Sequence, residues 1–288
     1  MRSRLFALAY KMTQSVVEAE DIVQDVFLTI GSMKAGSISN PEAYFVRVVT
    51  NRCLKLLGER KDTIYPGTDL PEPMEDDWRS DAREEDLSYG LLLLLQRLKP
   101  LERAVFILRE SLGLDYSEIA QILSSNPVSC RQILHRSKEK LRQHSPVNRT
   151  AEDDLVELMG AFLLAVTLGD FSSLIARLRD DVTLYGDGGG KRPSALQPLT
   201  GPIPVLKYLT GIYNKWLEGI SYSVARLNGE AAVVLYARDT GLPDSVMLFS
   251  LCETRVAAIY IIRNLDKLKG VKNRPLQTGE IEDPKAVK

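Results

Sequence analysis

Histidine is nearly missing from this chain. Of 288 residues, only His135 and His144 carry an imidazole. Histidine-based acid–base or metal chemistry therefore has little to work with, least of all beyond residue 150. Cysteine is equally sparse. Cys53, Cys130 and Cys252 are far apart and form no Cys-x-x-Cys pair, so neither a disulfide framework nor a zinc site is suggested. No apolar run, Leu91 to Leu95 included, approaches the length of a membrane span. Arg2 to Tyr10 has a faint look of a signal peptide, but Lys11 interrupts it and no small-residue cleavage site follows. These absences predict a cytoplasmic protein without membrane, metal or cofactor. An excess of charge is also lacking: 37 basic residues stand against 38 acidic ones. An autonomous DNA binder is usually basic. Here the charge is segregated instead, acidic over 62–86 and basic over 131–142. Such a chain is expected to bind DNA weakly alone and to rely on a partner.

Periodicity divides the chain. Leu5, Phe6, Leu8, Ala9 and Met12 fit one helical face. Ser15 and Glu18 read as a capping box before a helix whose Ala19, Val23, Val26, Phe27 and Ile30 point inward. Gly31 to Ser39 is a loop. Asn40 and Pro41 open a helix to about Leu57, with Gly58 as its stop. Residues 62–86 read as a linker. Asp86 or Ser88 starts a helix to Leu98, and Pro100 the next. Asp115 and Glu118 cap a further helix, Ser124-Ser125 turn the chain, and Asn126-Pro127 open another. After a break at Ser145 to Arg149, helices are predicted over Ala151–Leu168, Phe171–Leu178 and Pro202–Leu217. The period then changes to two. Tyr222–Arg226, Ala231–Ala237, Ser245–Leu251 and Arg255–Arg263 read as strands, with a hairpin at Asn228-Gly229. Helices followed by a meander imply an α+β domain.

Two stretches carry the functional signal. Ala19-Glu20-Asp21-Ile22-Val23-Gln24-Asp25-Val26-Phe27 puts Glu20 with Gln24, and Asp21 with Asp25, one turn apart. Leu101 to Leu141 is a helix-turn-helix ending in Arg131-Gln132-Ile133-Leu134-His135-Arg136. Between them, Arg47, Asn51 and Lys55 recur every four residues, flanked by Tyr44 and Arg52. In this order the stretches resemble regions 2 and 4 of a bacterial sigma factor of the extracytoplasmic-function (ECF) class. The resemblance implies docking of RNA polymerase core, its β′ and β subunits, with Glu20, Asp21, Gln24 and Asp25 facing β′. It implies −10 promoter contacts from Tyr44, Arg47, Asn51, Arg52 and Lys55, with the 31–39 loop as a base pocket. It implies −35 contacts from Ser129, Arg131, Gln132, His135, Arg136 and Lys138.

Cys130 to Arg136 further resembles the SigJ-like subgroup (ECF group 41), whose members carry a C-terminal SnoaL-like domain of the nuclear-transport-factor-2-like fold. Three subgroup motifs agree in order. Leu70-Pro71-Glu72-Pro73 matches LPEP, with Asp69 where Trp is common. Asp187-Gly188-Gly189-Gly190-Lys191 matches DGGGK. Asn264-Leu265-Asp266-Lys267-Leu268 matches NPDKL, with Leu265 in place of proline. The implied layout is multidomain: all-α region 2 (1–61), linker (62–86), all-α region 4 (87–145), an α+β SnoaL-like regulatory domain (146–268) and a tail (269–288). Relative to the family the N-terminus is short by several residues. Asp187 to Lys191 is not a Walker A loop, because Tyr185 and Arg192 stand where Gly and Ser/Thr belong. It reads as a Gly turn contacting another domain, with LPEP as the natural partner. The alternatives are a helix-turn-helix regulator that senses a small ligand in the SnoaL-like pocket, and a SnoaL-like isomerase or cyclase. For the latter only Asp170, Asp181 and Asp187 are candidate bases, and no enzyme is expected.

Overall fold

The computed structural model describes residues 1–31, 40–60, 65–75, 88–142, 158, 160–162, 165, 171–212, 221–237 and 239–271, the side chains of 30 and 31 excepted. The 32–39 loop, residues 76–87 of the linker, the 145–149 break, most of the 151–168 helix and residues 272–288 of the tail lie outside the described residues.

The first helix, α1 (Arg2–Thr13), is not one-faced. Every residue from Leu5 to Thr13 is buried, because α2 (Val16–Gly31), α3 (Pro41–Glu59) and later helices surround it. It ends at Gln14 in the left-handed region, φ 63°, a place that favours glycine or asparagine. The buried Gln14 amide offsets the strain by donating to the Leu92 carbonyl at 2.6 Å. Asn40 caps α3 as expected, accepting from Ala43 N at 3.1 Å. Gly58 does not stop it. The helix runs on to Glu59 and turns extended at Arg60, whose guanidinium pairs with Glu18. Phe27 also departs from expectation: it is about one-third exposed, beside Phe45 with ring centroids 5.0 Å apart.

Four further helical stretches follow: α4 (Tyr89–Gln96), capped by Ser88; α5 (Pro100–Phe106), which runs into a π turn at Ile107–Ser111; α6 (Tyr116–Ile122); and α7 (Pro127–Arg142). The helices of 1–60 and 88–142 share one core, in which Leu8, Met12 and Val49 join Leu95, Leu108 and Ile119.

Beyond α8 (Ser172–Ile175), Leu178 is not a helix end but the first residue of a strand, β1 (Leu178–Asp187). The exposed Asp180-Asp181 pair and a register shift between Leu178 and Thr183 hide its alternation. Next come β2 (Leu199–Thr200), α9 (Pro202–Ile212), β3 (Ser221–Leu227), β4 (Glu230–Tyr236), β5 (Pro243–Cys252) and β6 (Arg255–Ile262). They form one sheet in the order β2-β1-β6-β5-β4-β3, antiparallel except for β1 beside β6. Asn228 and Gly229 both have positive φ, as the β3–β4 hairpin requires.

The sheet is covered on both faces, which explains why β4 is buried at every residue. One face packs on α9 and on the helical residues Leu158, Phe162 and Ala165. The other packs on Leu70 of the linker, Tyr89 of α4, and Leu268 and Val271. The linker and α4 thus supply part of the second wall of the sheet.

Candidate functional site

On α2, Asp21, Gln24 and Asp25 are exposed and Glu20 is half-buried. Val17 and Leu28, 47% and 67% exposed, extend the Asp21–Gln24 stripe at helical spacing. The face is therefore acidic with apolar ends, and the sequence reading missed those ends although their spacing was visible. Asp25 is not free: it accepts from Arg52 of α3 at 2.8 Å, and Arg52 also reaches Thr29 at 3.1 Å. One ion pair thereby links a residue of the α2 face to one of the α3 stripe.

Arg47, Asn51 and Lys55 project from α3 into solvent, while Tyr44 and Arg52 are half-buried. Tyr44 and Arg47 line a crevice of about 600 Å³ whose opposite wall is Leu112, Leu114, Glu118 and Gln121. Arg4 braces its rim, pairing with Glu42 and donating to the Leu112 carbonyl at 3.3 Å. The first helix of the helix-turn-helix therefore stands over the N-terminal half of α3.

The helix-turn-helix forms by the expected caps. Asp115 and Glu118 cap α6 reciprocally, both at 2.8 Å, and Asn126 accepts from Ser129 N at 2.8 Å. Cys130, Leu134 and Leu141 are buried, so Arg131, Gln132, His135, Arg136 and Lys138 face outward; Ser129 is half-buried. Arg131 lies over the Tyr116 ring at 5.1 Å, and Lys138 pairs with Glu110 at 2.9 Å. Gln132, His135 and Arg136 make no side-chain hydrogen bond or ion pair among the described residues.

The three short motifs converge on one buried carboxylate. Asp187, at the end of β1, is fully buried. It accepts from the Tyr65 hydroxyl at 2.5 Å, Lys267 Nζ at 2.7 Å, Gly189 N at 2.9 Å and Leu70 N at 3.1 Å. Lys267 also donates to the Leu70 carbonyl at 2.5 Å and pairs with Asp69. Burial, and then the bond to Asp187, pushes the Tyr65 hydroxyl well above its ordinary pKa, so it stays a donor. The glycines are there because neighbours leave no room. A Cβ at Gly188 would lie 2.0 Å from the Arg192 carbonyl oxygen, one at Gly189 2.6 Å from Asn264, and one at Gly190 2.6 Å from Pro66. Lys191 turns outward to Asp266 at 2.9 Å, and Leu268 is buried against the sheet. Tyr89 donates to the Pro71 carbonyl at 2.7 Å, and Pro73 is buried.

Leu265 starts a short 3-10 turn capped by Asn264, which accepts from Asp266 N at 3.1 Å. Asn264 is extended (φ −74°, ψ 104°), the conformation a following proline prefers. Leu265→Pro should therefore stabilise the chain by about 0.5 kcal/mol, read as a small rise in thermal midpoint; a fall would mean that Leu265 N is needed as a donor.

A second contact was not foreseen. Glu72 accepts from Ser15 Oγ at 2.8 Å and Val16 N at 2.7 Å, at the N-terminus of α2. Ser15 Oγ does accept from Glu18 N at 3.3 Å, but Glu18 pairs with Arg60, and Glu72 is the carboxylate that completes the start of α2. Asn228 of the hairpin bonds Met74 N at 2.8 Å and the Tyr10 hydroxyl at 2.9 Å. Of the candidate bases, Asp187 is committed to Lys267, Asp170 lies outside the described residues, and Asp181 binds Arg179 at 2.7 Å, which holds its carboxyl below the usual range.

Two family descriptions match: Sigma-70 region 2 over residues 1–63 and Sigma-70, region 4 over residues 90–141. The chain is 28% identical to "ECF RNA polymerase sigma factor SigJ" of Mycobacterium tuberculosis (strain ATCC 25618 / H37Rv), over 94% of this chain and 91% of that one. It is 24% identical to "ECF RNA polymerase sigma factor SigG" of Mycobacterium tuberculosis (strain CDC 1551 / Oshkosh), over 92% and 79% respectively. The crystal structure of the Mycobacterium tuberculosis SigJ superposes with a TM-score of 0.78 at 26% identity, covering 95% of this chain and 97% of that chain.

Proposed function

The chain belongs to the ECF sigma factors, of the SigJ-like type with a SnoaL-like C-terminal domain, and on that premise we propose how its surfaces divide the work. As a sigma factor it directs RNA polymerase core to promoters and starts transcription. The α2 face, with Glu20, Asp21, Gln24 and Asp25, docks on β′, and Val17 and Leu28 add apolar contact at its ends. Region 4 docks on β. The α3 stripe of Tyr44, Arg47, Asn51, Arg52 and Lys55 takes the −10 element. Ser129, Arg131, Gln132, His135, Arg136 and Lys138 take the −35 element.

The observation that carries this reading is the presentation of Gln132, His135 and Arg136 with no side-chain hydrogen bond or ion pair among the described residues, on a helix whose other side is core. With a net charge of −1, the chain supports DNA reading delivered by core rather than alone. Run-off transcription with core polymerase tests it. Full-length protein should yield a promoter-specific transcript, and Arg136→Ala should lower it about tenfold, the value of one good base contact. A gel shift by the free protein together with no core-dependent transcript would favour an ordinary helix-turn-helix regulator.

We assign the SnoaL-like domain a restraining role in cis rather than ligand sensing. Phe162, Val205, Leu209 and Phe249 fill the sheet face, and a small ligand would have to displace them. The domain instead holds the linker through Asp187, which is fully buried, and Lys267, which is partly buried.

A further inference from the structure

Arg131 differs from the other outward residues of α7 in having a rest position. Its guanidinium lies over the Tyr116 ring, 5.1 Å from the centroid, and it makes no side-chain hydrogen bond or ion pair among the described residues. A ring contact leaves the N–H groups of a guanidinium free, so Arg131 keeps its donors for another acceptor. The ring itself is held twice. Its backbone opens α6 directly after Asp115, where the reciprocal bonds of Asp115 and Glu118 fix the first turn. A second guanidinium, that of Arg109, lies 4.9 Å from the same centroid. Arg109 is tied down where Arg131 is not: its Nη1 donates to the Leu114 carbonyl at 2.7 Å. It belongs to the π turn Ile107–Ser111, which closes with Leu112 N donating to the Ile107 carbonyl at 3.2 Å. The next residue of that turn, Glu110, pairs with Lys138 of α7. Consecutive residues of one π turn thus reach two outward residues of the recognition helix, one of them through Tyr116.

We propose that Tyr116 is a specificity-positioning residue: its ring, braced by Arg109, sets the Arg131 guanidinium for one base of the −35 element without itself reading that base. This rests on the reading of α7 as the −35 reader. Guanine is the base whose O6 and N7 fit a guanidinium fork. A free arginine side chain loses much rotamer freedom when it docks. On the ring, part of that loss has occurred before DNA arrives, which favours binding. Direction is constrained as well. An aimed fork discriminates between bases, whereas a mobile one also settles on phosphates, which carry no sequence information. Charge points the same way. Two guanidiniums gathered on one ring repel each other in the free protein, and the negative potential of DNA relieves that repulsion. Gln132, His135 and Arg136 have no such rest, so they take their orientation from the DNA.

The test is run-off transcription by the full chain with core polymerase, on promoters that carry each base in turn at each −35 position. Arg131→Ala first identifies its position, as the one where the guanine preference falls about tenfold. Tyr116→Leu should lower the preference at that same position roughly two- to fivefold, the range of one exposed cation–π contact, and leave the other positions unchanged. Tyr116→Phe keeps the ring and should keep the preference. In the Arg131→Ala background, Tyr116→Leu should change no preference. Each preference is a ratio within one preparation, so a loss of folded protein cancels; Tyr116→Met serves if the leucine variant makes no transcript. A preference in Tyr116→Leu equal to wild type overturns the proposal. So does an equal loss at every position, or a loss that persists in the Arg131→Ala background, either of which would make Tyr116 a packing residue of region 4. If Arg131→Ala lowers transcription alike on all promoters, Arg131 is a phosphate contact and the proposal fails. A wild-type chain that gives no promoter-specific transcript would sink the sigma reading and the proposal with it, whereas a transcript that lacks the Tyr116 effect sinks the proposal alone.

Discussion

Lys267→Met should loosen the SnoaL-like domain from the linker by about 3 kcal/mol, the lower end of the cost of orphaning a buried charge. Burial decides the size. Asp187 is 0% exposed and the Lys267 side chain 14%, so water cannot replace the lost ammonium. Three neutral donors remain on Asp187, from Tyr65, Gly189 and Leu70, and they do not neutralise it. The Lys267–Asp69 pair adds little, since Asp69 is 57% exposed. Hydrogen exchange should show faster opening of 65–75, with the α9 face of the sheet unchanged, because its core contains neither residue. Adding Asp187→Asn should recover part of the loss by removing the unpaired charge. Protection of 65–75 equal to wild type would mean that apolar burial of Leu70 holds the linker alone. If the domain restrains the sigma regions, the same variant transcribes more strongly at limiting core.

The caps were legible because they are local. Asn40-Pro41, Ser88, Asp115 with Glu118, and Asn126-Pro127 each satisfy their helix within four residues. Asn228-Gly229 gave the hairpin for the same reason. What was misread depends on distant chain. The all-round burial of α1 needs helices that begin some ninety residues later. β1 was missed, and only its first residue, Leu178, was placed in a helix, because its parallel partner β6 lies about 75 residues on and its own alternation is broken by Arg179 to Asp181.

The outward residues of α2, α3 and α7 follow from helical period alone, so their exposure was readable. Their partners were not. Nothing local says that Arg52 reaches Asp25, that Lys138 reaches Glu110, or that Arg131 rests on Tyr116. The link between LPEP and the Gly turn was anticipated from motif order, but its chemistry is a buried carboxylate–ammonium pair with Tyr65 as a third member. Tyr65 stands outside all three motifs. Asn228 was read for its backbone, whereas its side chain, 1% exposed, joins three distant segments.

Arg103→Met should cost about 3 kcal/mol and part region 4 from region 2, for a reason that no carboxylate supplies. The guanidinium is buried among carbonyls: Nε donates to Leu95 at 2.9 Å, and the terminal nitrogens to Met12 at 2.5 Å and Leu98 at 3.5 Å. Met12 lies in the last turn of α1 and Leu95 in that of α4, the negative ends of their dipoles; the Leu95 carbonyl also accepts from Leu98 N at 3.1 Å. One planar cation thus caps two helix ends, one from each sigma region. Burial, and then Arg60 nearby, pushes its pKa down to about 10, so it stays charged at neutral pH. Methionine fills the volume but leaves the Met12 carbonyl without this donor, at roughly 1–3 kcal/mol before relaxation, and takes one of the donors from the Leu95 carbonyl, at about 1 kcal/mol more. Lysine keeps the charge without the fork, so Arg103→Lys should lose less, about half as much, in a urea titration. Arg103→Met should also lengthen the distance between regions 2 and 4. Equal losses for lysine and methionine would assign the effect to geometry rather than charge. A methionine variant as stable as wild type would show that water reaches these carbonyls and that the shared apolar core alone holds the two regions together.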